Sequence, residues 1–337
     1  MSESGDGGNE METMKLWNGR SVPRIGVGCW AIGGKSLSGV MPTYYGDVDD
    51  TQSVAGLRLA DELGARVFDT AAYYGGGHSE KLLGQVFGER EDVIIVTKFG
   101  TPVDYETRQA QDGEMTPEAI RASIERSRQN LRRDRLDLVL FHLNDFPPEK
   151  AGFVFDTLGH LRAEGRIAAF GWSTDFLDRA ERFADRDGFV AVENDFNLFD
   201  RAENLMAFVE QKGLVSISRL PLAMGMLTGK YNADAAVGAD DIRAQKVDWM
   251  KFFRDGKASP DFVRRLEAVR ELLTTGGRSL AQGALSWILA RSPNALPVPG
   301  FKTEAQVRDN LGTLEKGPLP SYVMDEIDRV LSVEVPA

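Results

Sequence analysis

The chain has 337 residues, 42% of them hydrophobic, a formal net charge of −11 and one cysteine, Cys29. There is ample apolar material for a sizeable core, and the length suits a single barrel of parallel strands and helices. The acidic balance, with no Lys/Arg block, argues against nucleic acid and anionic membrane surfaces as partners; no run of eighteen or more apolar residues occurs to span a bilayer.

The opening MSESGDGGNEMET has neither a basic flank nor an apolar stretch, so it does not read as a secretory signal. Its polar, Gly-rich composition predicts a disordered acidic tail over residues 1–13, ahead of one domain over 14–337. A lone thiol gives no sign of an oxidising compartment, which makes the cytoplasm the default address. A hairpin is expected next, Lys15–Trp17 and Ser21–Pro23 joined by Asn18-Gly19, because Asn-Gly is a strong hairpin turn signal. It is placed to plug the bottom of a barrel.

Eight β-rich runs are expected: Arg24–Gly28, Ala65–Thr70, Val93–Phe99, Leu136–His142, Ile167–Ser173, Val190–Asp195, Leu214–Arg219 and Leu296–Gly300. Many are nearly continuous apolar, as strands buried on both faces of a parallel sheet should be. Amphipathic helices are expected between them, at Thr51–Leu63, Glu80–Phe87, Pro117–Leu131, Lys150–Glu164, Leu177–Ala184 and Glu203–Gln211, with a last one at Ser321–Leu331. Sequential βα units close most simply into an α/β (β/α)8 TIM barrel. The longest irregular stretch, Asn232–Ser259, reads as a rim turn or as a flap over a ligand.

Two alternatives fail on context. Gly26-Val27-Gly28-Cys29-Trp30-Ala31 has the GxGxxA spacing of a dinucleotide fingerprint, but no helical period follows it. The three histidines show no HxH or HExxH spacing and there is no cysteine pair, so no metal site is expected.

Chemistry in a parallel barrel sits at the C-terminal strand ends. Asp69, Lys98 and His142 end the second, third and fourth runs, and Tyr74 follows Asp69 by five residues. A carbonyl that receives hydride develops alkoxide charge and needs a proton donor. A phenol does this poorly at its ordinary pKa of about 10; a nearby ammonium favours the phenolate and is expected to lower that value. An aspartate keeps the lysine charged and fixed, and an imidazole orients the carbonyl oxygen. Any one of these groups alone is more simply a cap, a structural ion pair or a satisfied core histidine.

The runs GCWAIGG, DTAAYYGGGHSEKLLG, VTKFG, DLVLFHLND, GRIAAFGWST, ENDFNLFDR, PLAMGMLTGKY and VPGFKTEAQVRDN fall in an order that resembles the aldo-keto reductases, from about Lys15 to the C-terminus. The resemblance implies an NADP(H)-dependent oxidoreductase, with NAD(H) possible and no metal, acting on a small carbonyl or alcohol. It makes Tyr74 the proton donor, Lys98 its partner, Asp69 the partner of the lysine, and His142 the group that orients substrate.

The resemblance also implies a cofactor surface. Lys302, before a helix whose Thr303 and Gln306 have capping-box spacing, suits a 2′-phosphate. Gln306 and Asn310 fall near the adenosine, and Leu222, Gly225 and Leu227 near the pyrophosphate. Gly28, Cys29, Trp30, Ser173 and Gly300, at strand ends, complete the expected set. Three positions depart from the family pattern. Thr174 stands where Asn is frequent and offers the carboxamide one hydroxyl. Glu193 stands where Gln is common and can only accept, from the carboxamide NH2. Arg219 stands where an aromatic residue often stacks on the nicotinamide, and either stacks by its planar face, with Glu193 balancing its charge, or forms a plain rim ion pair with Glu193.

Trp30, Tyr44, Tyr45, Trp172, Trp249 and Phe252 are candidates for an apolar substrate rim beside Tyr74 and His142. Two further readings stay open. One is a cofactor-binding sensor with little turnover, similar to the beta subunits of potassium channels; the other is a carboxylate-based barrel hydrolase, which leaves the pairing of Lys98 with Tyr74 unexplained. Substrate identity and oligomeric state are not written in these residues.

Overall fold

The computed structural model describes residues 12–232 and 235–332. Eight parallel strands form its centre: β1 (Val27–Gly28), β2 (Val67–Asp69), β3 (Ile94–Phe99), β4 (Leu136–Phe141), β5 (Ile167–Ser173), β6 (Phe189–Asp195), β7 (Val215–Arg219) and β8 (Ala295–Pro297). Each pairs with the next. A parallel bridge between Gly28 and Gly300 joins the two ends, with Gly26 N–H donating to Pro297 O at 2.9 Å and Gly28 N–H to Pro299 O at 3.0 Å. This is a (β/α)8 barrel, and each of the eight expected runs overlaps one strand. Closure requires glycine at position 28, because a Cβ there would lie 2.5 Å from Val298 O.

The helices are α1 (Asp50–Glu62), α2 (His78–Phe87), α3 (Pro117–Leu131), α4 (Gly152–Ala163), α5 (Leu177–Phe183), α6 (Glu203–Lys212), α7 (Pro260–Leu273), α8 (Leu280–Arg291), α9 (Glu304–Leu311), α10 (Thr313–Lys316) and α11 (Ser321–Ser332). In α3 the local causes are plain. The Thr116 hydroxyl accepts from Ala119 N–H at 3.2 Å, Pro117 occupies the first turn, and Ile120, Ile124 and Leu131 put one apolar stripe against the barrel. Burying each of those side chains contributes about 1.5–3 kcal/mol.

Two cores result from the alternation of side chains along each strand. Inside the barrel lie Val67, Ile94, Val96, Leu138, Leu140 and Ile217, packed on Leu16 and Val22. Those last two come from the N-terminal hairpin, Thr13–Lys15 paired antiparallel with Ser21–Pro23, which closes the barrel floor as expected. Outside, residues of the opposite parity such as Phe68, Phe141 and Trp172 meet the helices.

Two expectations about organisation are refined. Of the tail expected over 1–13, residues 1–11 lie outside the described residues, while Thr13 already belongs to the hairpin. The irregular 232–259 stretch holds a 3-10 turn, Ile242–Ala244, and a short antiparallel pair, Phe253–Arg254 with Lys257–Ala258. It also reaches across the mouth to the loop after β1: Ile242 N–H donates to Tyr44 O at 2.7 Å and Tyr45 bridges Asp241. Unforeseen in the sequence is a four-stranded sheet built by the loops after β1 and β3, from Leu37–Ser38, Met41–Pro42, Val103–Asp104 and Gln109–Ala110.

Candidate active site

The alternation that fills the barrel with Val67, Val96, Leu140, Ala191 and Ile217 brings the next inward residue of each strand to the C-terminal mouth: Asp69, Lys98, His142, Glu193 and Arg219. Tyr74 joins them from the loop after β2. That loop turns sharply into α2 because Gly75, Gly76 and Gly77 all have positive φ (61°, 58° and 78°), and a Cβ on Gly75 would sit 1.8 Å from Gly33 O.

Lys98 is the hub. Its ammonium, fully buried, donates to Asp69 Oδ2 at 2.8 Å, to Thr70 O at 2.9 Å and to Tyr74 Oη at 3.2 Å, and lies 3.4 Å from Glu193 Oε1. Burial works against its charge, but Asp69 and Glu193 outweigh burial and hold the ammonium above its ordinary value. Burial, then the nearby Glu193, pushes Asp69 up to about 7 against the pull of Lys98. The Tyr74 phenol moves opposite to the sequence expectation. Burial raises it above the ordinary value, with Lys98 acting against burial without overcoming it. A phenol so held keeps its proton. Burial, then Lys98 and Arg219, depress His142 well below the usual imidazole range, so it is neutral. The rings of Trp30 and Tyr74 stack at 5.8 Å, and His142 meets Tyr74 edge-on at 5.9 Å.

Arg219 forms a second charged group beside the first. Its Nε donates to Asp195 Oδ1 at 2.7 Å, one Nη to Ser173 Oγ at 3.0 Å, and the other pairs with Asp175. The expected partnership of Arg219 with Glu193 is therefore corrected: the guanidinium is held in this network, and Glu193 turns to Lys98. Asp175, Asp195 and Asn144 escaped the sequence reading. Asp195 was accessible to it, standing two residues beyond Glu193 on the same face of β6.

Several expected contacts are overturned by strand parity or by packing. Trp172 lies between inward-facing Gly171 and Ser173, so it points outward; it is fully buried against Phe141, Phe155 and Phe183, and its indole donates to Leu143 O at 3.0 Å. Cys29 likewise faces the outer core, its N–H bound to Asp69 O and its carbonyl to the Ser79 hydroxyl at 2.8 and 2.9 Å. Thr174 gives its hydroxyl to Asn144 O at 2.7 Å and has none left for a ligand. Phe252 packs on Phe199 and Phe262 instead of lining a rim, and Tyr44 is also buried. Trp249 is half-exposed on the 232–259 loop.

On the other side of the mouth, Thr303 and Gln306 form the capping box of α9, and Gln306 Oε1 also accepts from Lys302 N–H at 2.7 Å. Lys302 Nζ donates to the carbonyls of Tyr45 and Asp47 and has no carboxylate at ion-pair distance among the described residues. Asn310 donates to Gly300 O at 3.2 Å. Leu222 and Leu227 bury their side chains, and Gly225 turns the chain between them at φ 92°. Among the described residues, no cluster of His, Cys, Asp and Glu is arranged to hold a metal ion, and no helix is long and apolar enough to cross a membrane.

Comparison with known proteins gives this geometry its relatives. The Aldo-keto reductase YhdN of Bacillus subtilis (strain 168) is 29% identical over 304 residues, covering 86% of this chain and 84% of its own length. The NADH-specific methylglyoxal reductase of Escherichia coli (strain K12) is 29% identical over 308 residues, covering 87% and 90%. The solved glycerol dehydrogenase AKR11B4 from Gluconobacter oxydans has the same fold, with a TM-score of 0.78 at 24% identity and 97% of each chain covered. The model of the Aldo/keto reductase family matches residues 24–332. Matched from just before the first barrel strand to the end of the last helix, the chain belongs to the aldo/keto reductase family of oxidoreductases.

Proposed function

We propose that this single-domain barrel catalyses the reversible, NADP(H)-dependent reduction of a small aldehyde or ketone to an alcohol, in the cytoplasm, with Tyr74 as general acid. The observation that carries the reading is the Lys98 ammonium held between Asp69 and the Tyr74 hydroxyl, next to a neutral His142.

The residues fit a nicotinamide cofactor. Glu193 Oε2 is buried without a hydrogen-bond partner among the described residues, an acceptor left over at the mouth for the carboxamide NH2. Among the described residues, the Lys302 ammonium is held by backbone carbonyls, which leaves it available to a 2′-phosphate. The NADH-specific relative keeps NAD(H) as the alternative cofactor. Bound there, the nicotinamide supplies the hydride in reduction and accepts it in oxidation.

The chain's own residues handle the proton. Tyr74 Oη gives its proton to the carbonyl oxygen as negative charge develops there, and the phenolate that remains is stabilised by Lys98 at 3.2 Å. Asp69 holds the ammonium in place. His142 donates a hydrogen bond to the same carbonyl oxygen and fixes its direction, and Trp30, stacked on Tyr74, walls the site with an apolar face.

The test is Tyr74→Phe, which removes the transferable proton and keeps the ring. Turnover across a panel of aldehydes and ketones should fall by roughly a hundred- to ten-thousand-fold, with NADPH affinity within a few fold of wild type. Wild-type turnover in the variant would refute the mechanism. A wild type that binds NADPH and reduces no member of a broad panel would favour the sensor reading.

A further inference from the structure

Lys98 has two buried carboxylates, where one would hold it charged. Asp69 and Glu193 both lie at ion-pair distance from the same ammonium, 2.7 and 3.4 Å away, with side chains 5% and 1% exposed. Arg219 repeats the pattern with Asp175 and Asp195. At the mouth, four carboxylates therefore face two cations. Glu193 is the most buried of the four, and its second oxygen has no hydrogen-bond partner among the described residues. An anion in excess, in a region shielded from water, needs a positive charge from elsewhere.

The two redox forms of a nicotinamide differ by one charge on the ring: the oxidised ring is cationic and the reduced ring neutral. We propose that Glu193 is a specificity-determining residue for the redox state of the cofactor, weighting binding toward the oxidised, cationic nicotinamide. This rests on the nicotinamide reading given above. Electrostatic attraction in a poorly solvated site is much stronger than in water, so one surplus carboxylate acts unequally on the two ring charges. The rest of the cofactor is the same in both forms, and its contributions cancel in the ratio of the two affinities.

Protons act on the same balance of charge. The groups facing Asp69 and Glu193 are Lys98 on β3, Tyr74 on the loop after β2 and Arg219 on β7, with His142 beyond β4 beside Lys98 and Asp195 on β6 paired to Arg219. Burial and neighbours keep Lys98 and Arg219 charged and Tyr74 and His142 neutral around neutral pH; burial raises the Asp195 carboxyl against the pull of Arg219, and Asp69, at about 7, titrates beside Lys98. Raising the pH through 7 deprotonates it and adds negative charge. The oxidised form should then bind more tightly relative to the reduced form.

The experiment measures dissociation constants of NADP+ and NADPH by calorimetry, for wild type and Glu193→Gln, at pH 6 and pH 8. In the variant, the affinity ratio of oxidised to reduced form should fall about tenfold, the equivalent of roughly one pKa unit of interaction. In the wild type the same ratio should rise several-fold between pH 6 and pH 8 as Asp69 adds its charge, and Glu193→Asp, which keeps the carboxylate, should hold the wild-type ratio. A ratio indifferent to Glu193→Gln in a folded variant, or one that Glu193→Asp lowers just as far, overturns the proposal. Failure of the wild type to bind either form at all overturns the nicotinamide reading beneath it, which is a different result.

Discussion

Thr97 and Lys98 are neighbours on one strand and serve opposite sides of the barrel wall. Thr97 donates its hydroxyl outward to Glu80 Oε1 at 2.7 Å, while Lys98 reaches inward to Asp69 at 2.8 Å. Glu80, at the start of α2, also accepts from Asn130 Nδ2 at 2.9 Å and is fully buried. Burial raises its carboxyl above the ordinary range. Glu80 thus ties α2 to β3 and α3 directly behind the site. Glu80→Ala leaves two buried donors without an acceptor and is expected to cost about 2–4 kcal/mol in urea denaturation. Glu80→Gln keeps a carbonyl for Thr97, loses the acceptor for Asn130 and removes a charge that burial opposes, so its cost should be smaller than that of Glu80→Ala. Equal losses in the two variants would show that the bonds to Thr97 and Asn130 are not what matters.

Trp30 and Trp172 should behave as opposites. Trp172 fills the outer core, and Trp172→Ala is expected to cost about 3–5 kcal/mol of stability through the cavity it leaves. Trp30, partly exposed and stacked on Tyr74, should change stability little when replaced by Ala and alter KM for carbonyl substrates instead. Thermal melts and steady-state kinetics on both variants decide the matter; a strong KM effect from Trp172→Ala at unchanged stability would contradict its outward placement.

Asp69 gives stability a specific pH dependence. The folded protein holds the proton of Asp69 up to about 7, whereas the ordinary value is 3.8. Between those values the folded state binds the extra proton. The contribution of this group to stability is complete below the lower value and is lost as the pH rises through 7. Subtracting the stability of Asp69→Asn from that of wild type across pH 4.5 to 8 should therefore give a difference that moves against wild type as the pH rises. A flat difference would mean that Asp69 is ionised throughout.

Lys302→Ala should weaken NADPH by at least about tenfold and NADH by much less, since only the former carries a 2′-phosphate for the ammonium to meet. The partners of Lys302 among the described residues, the carbonyls of Tyr45 and Asp47, are neutral and leave its charge unpaired for a phosphate. Equal weakening of both cofactors would remove Lys302 from the phosphate site.

The barrel was legible because its strands are continuous apolar runs at regular spacing, a signal that survives without any contact information. Asp69, Lys98 and His142 were legible because strand ends have a fixed place in such a barrel. Trp172 and Cys29 were misjudged by choosing residue type over parity: with Ser173 and Gly28 facing inward, their neighbours had to face out. The network of Arg219 with Asp175 and Asp195 joins three strand ends that no local pattern links, and the four-stranded rim sheet joins loops some seventy residues apart. Both are set by tertiary pairing alone. The direction of the Tyr74 shift was missed because a partner charge can be read from sequence while the depth of burial opposing it cannot.

The hairpin that seals the barrel floor with Leu16 and Val22 also governs hydration. The charged groups at the mouth stand above an apolar column whose lower end is covered by the hairpin. Opening the floor would let solvent rise beneath Lys98 and raise the local dielectric, and every ion pair in the cluster would weaken together. Residues far from any ligand, at the opposite pole of the molecule, thus set how strongly the charges of the site are felt.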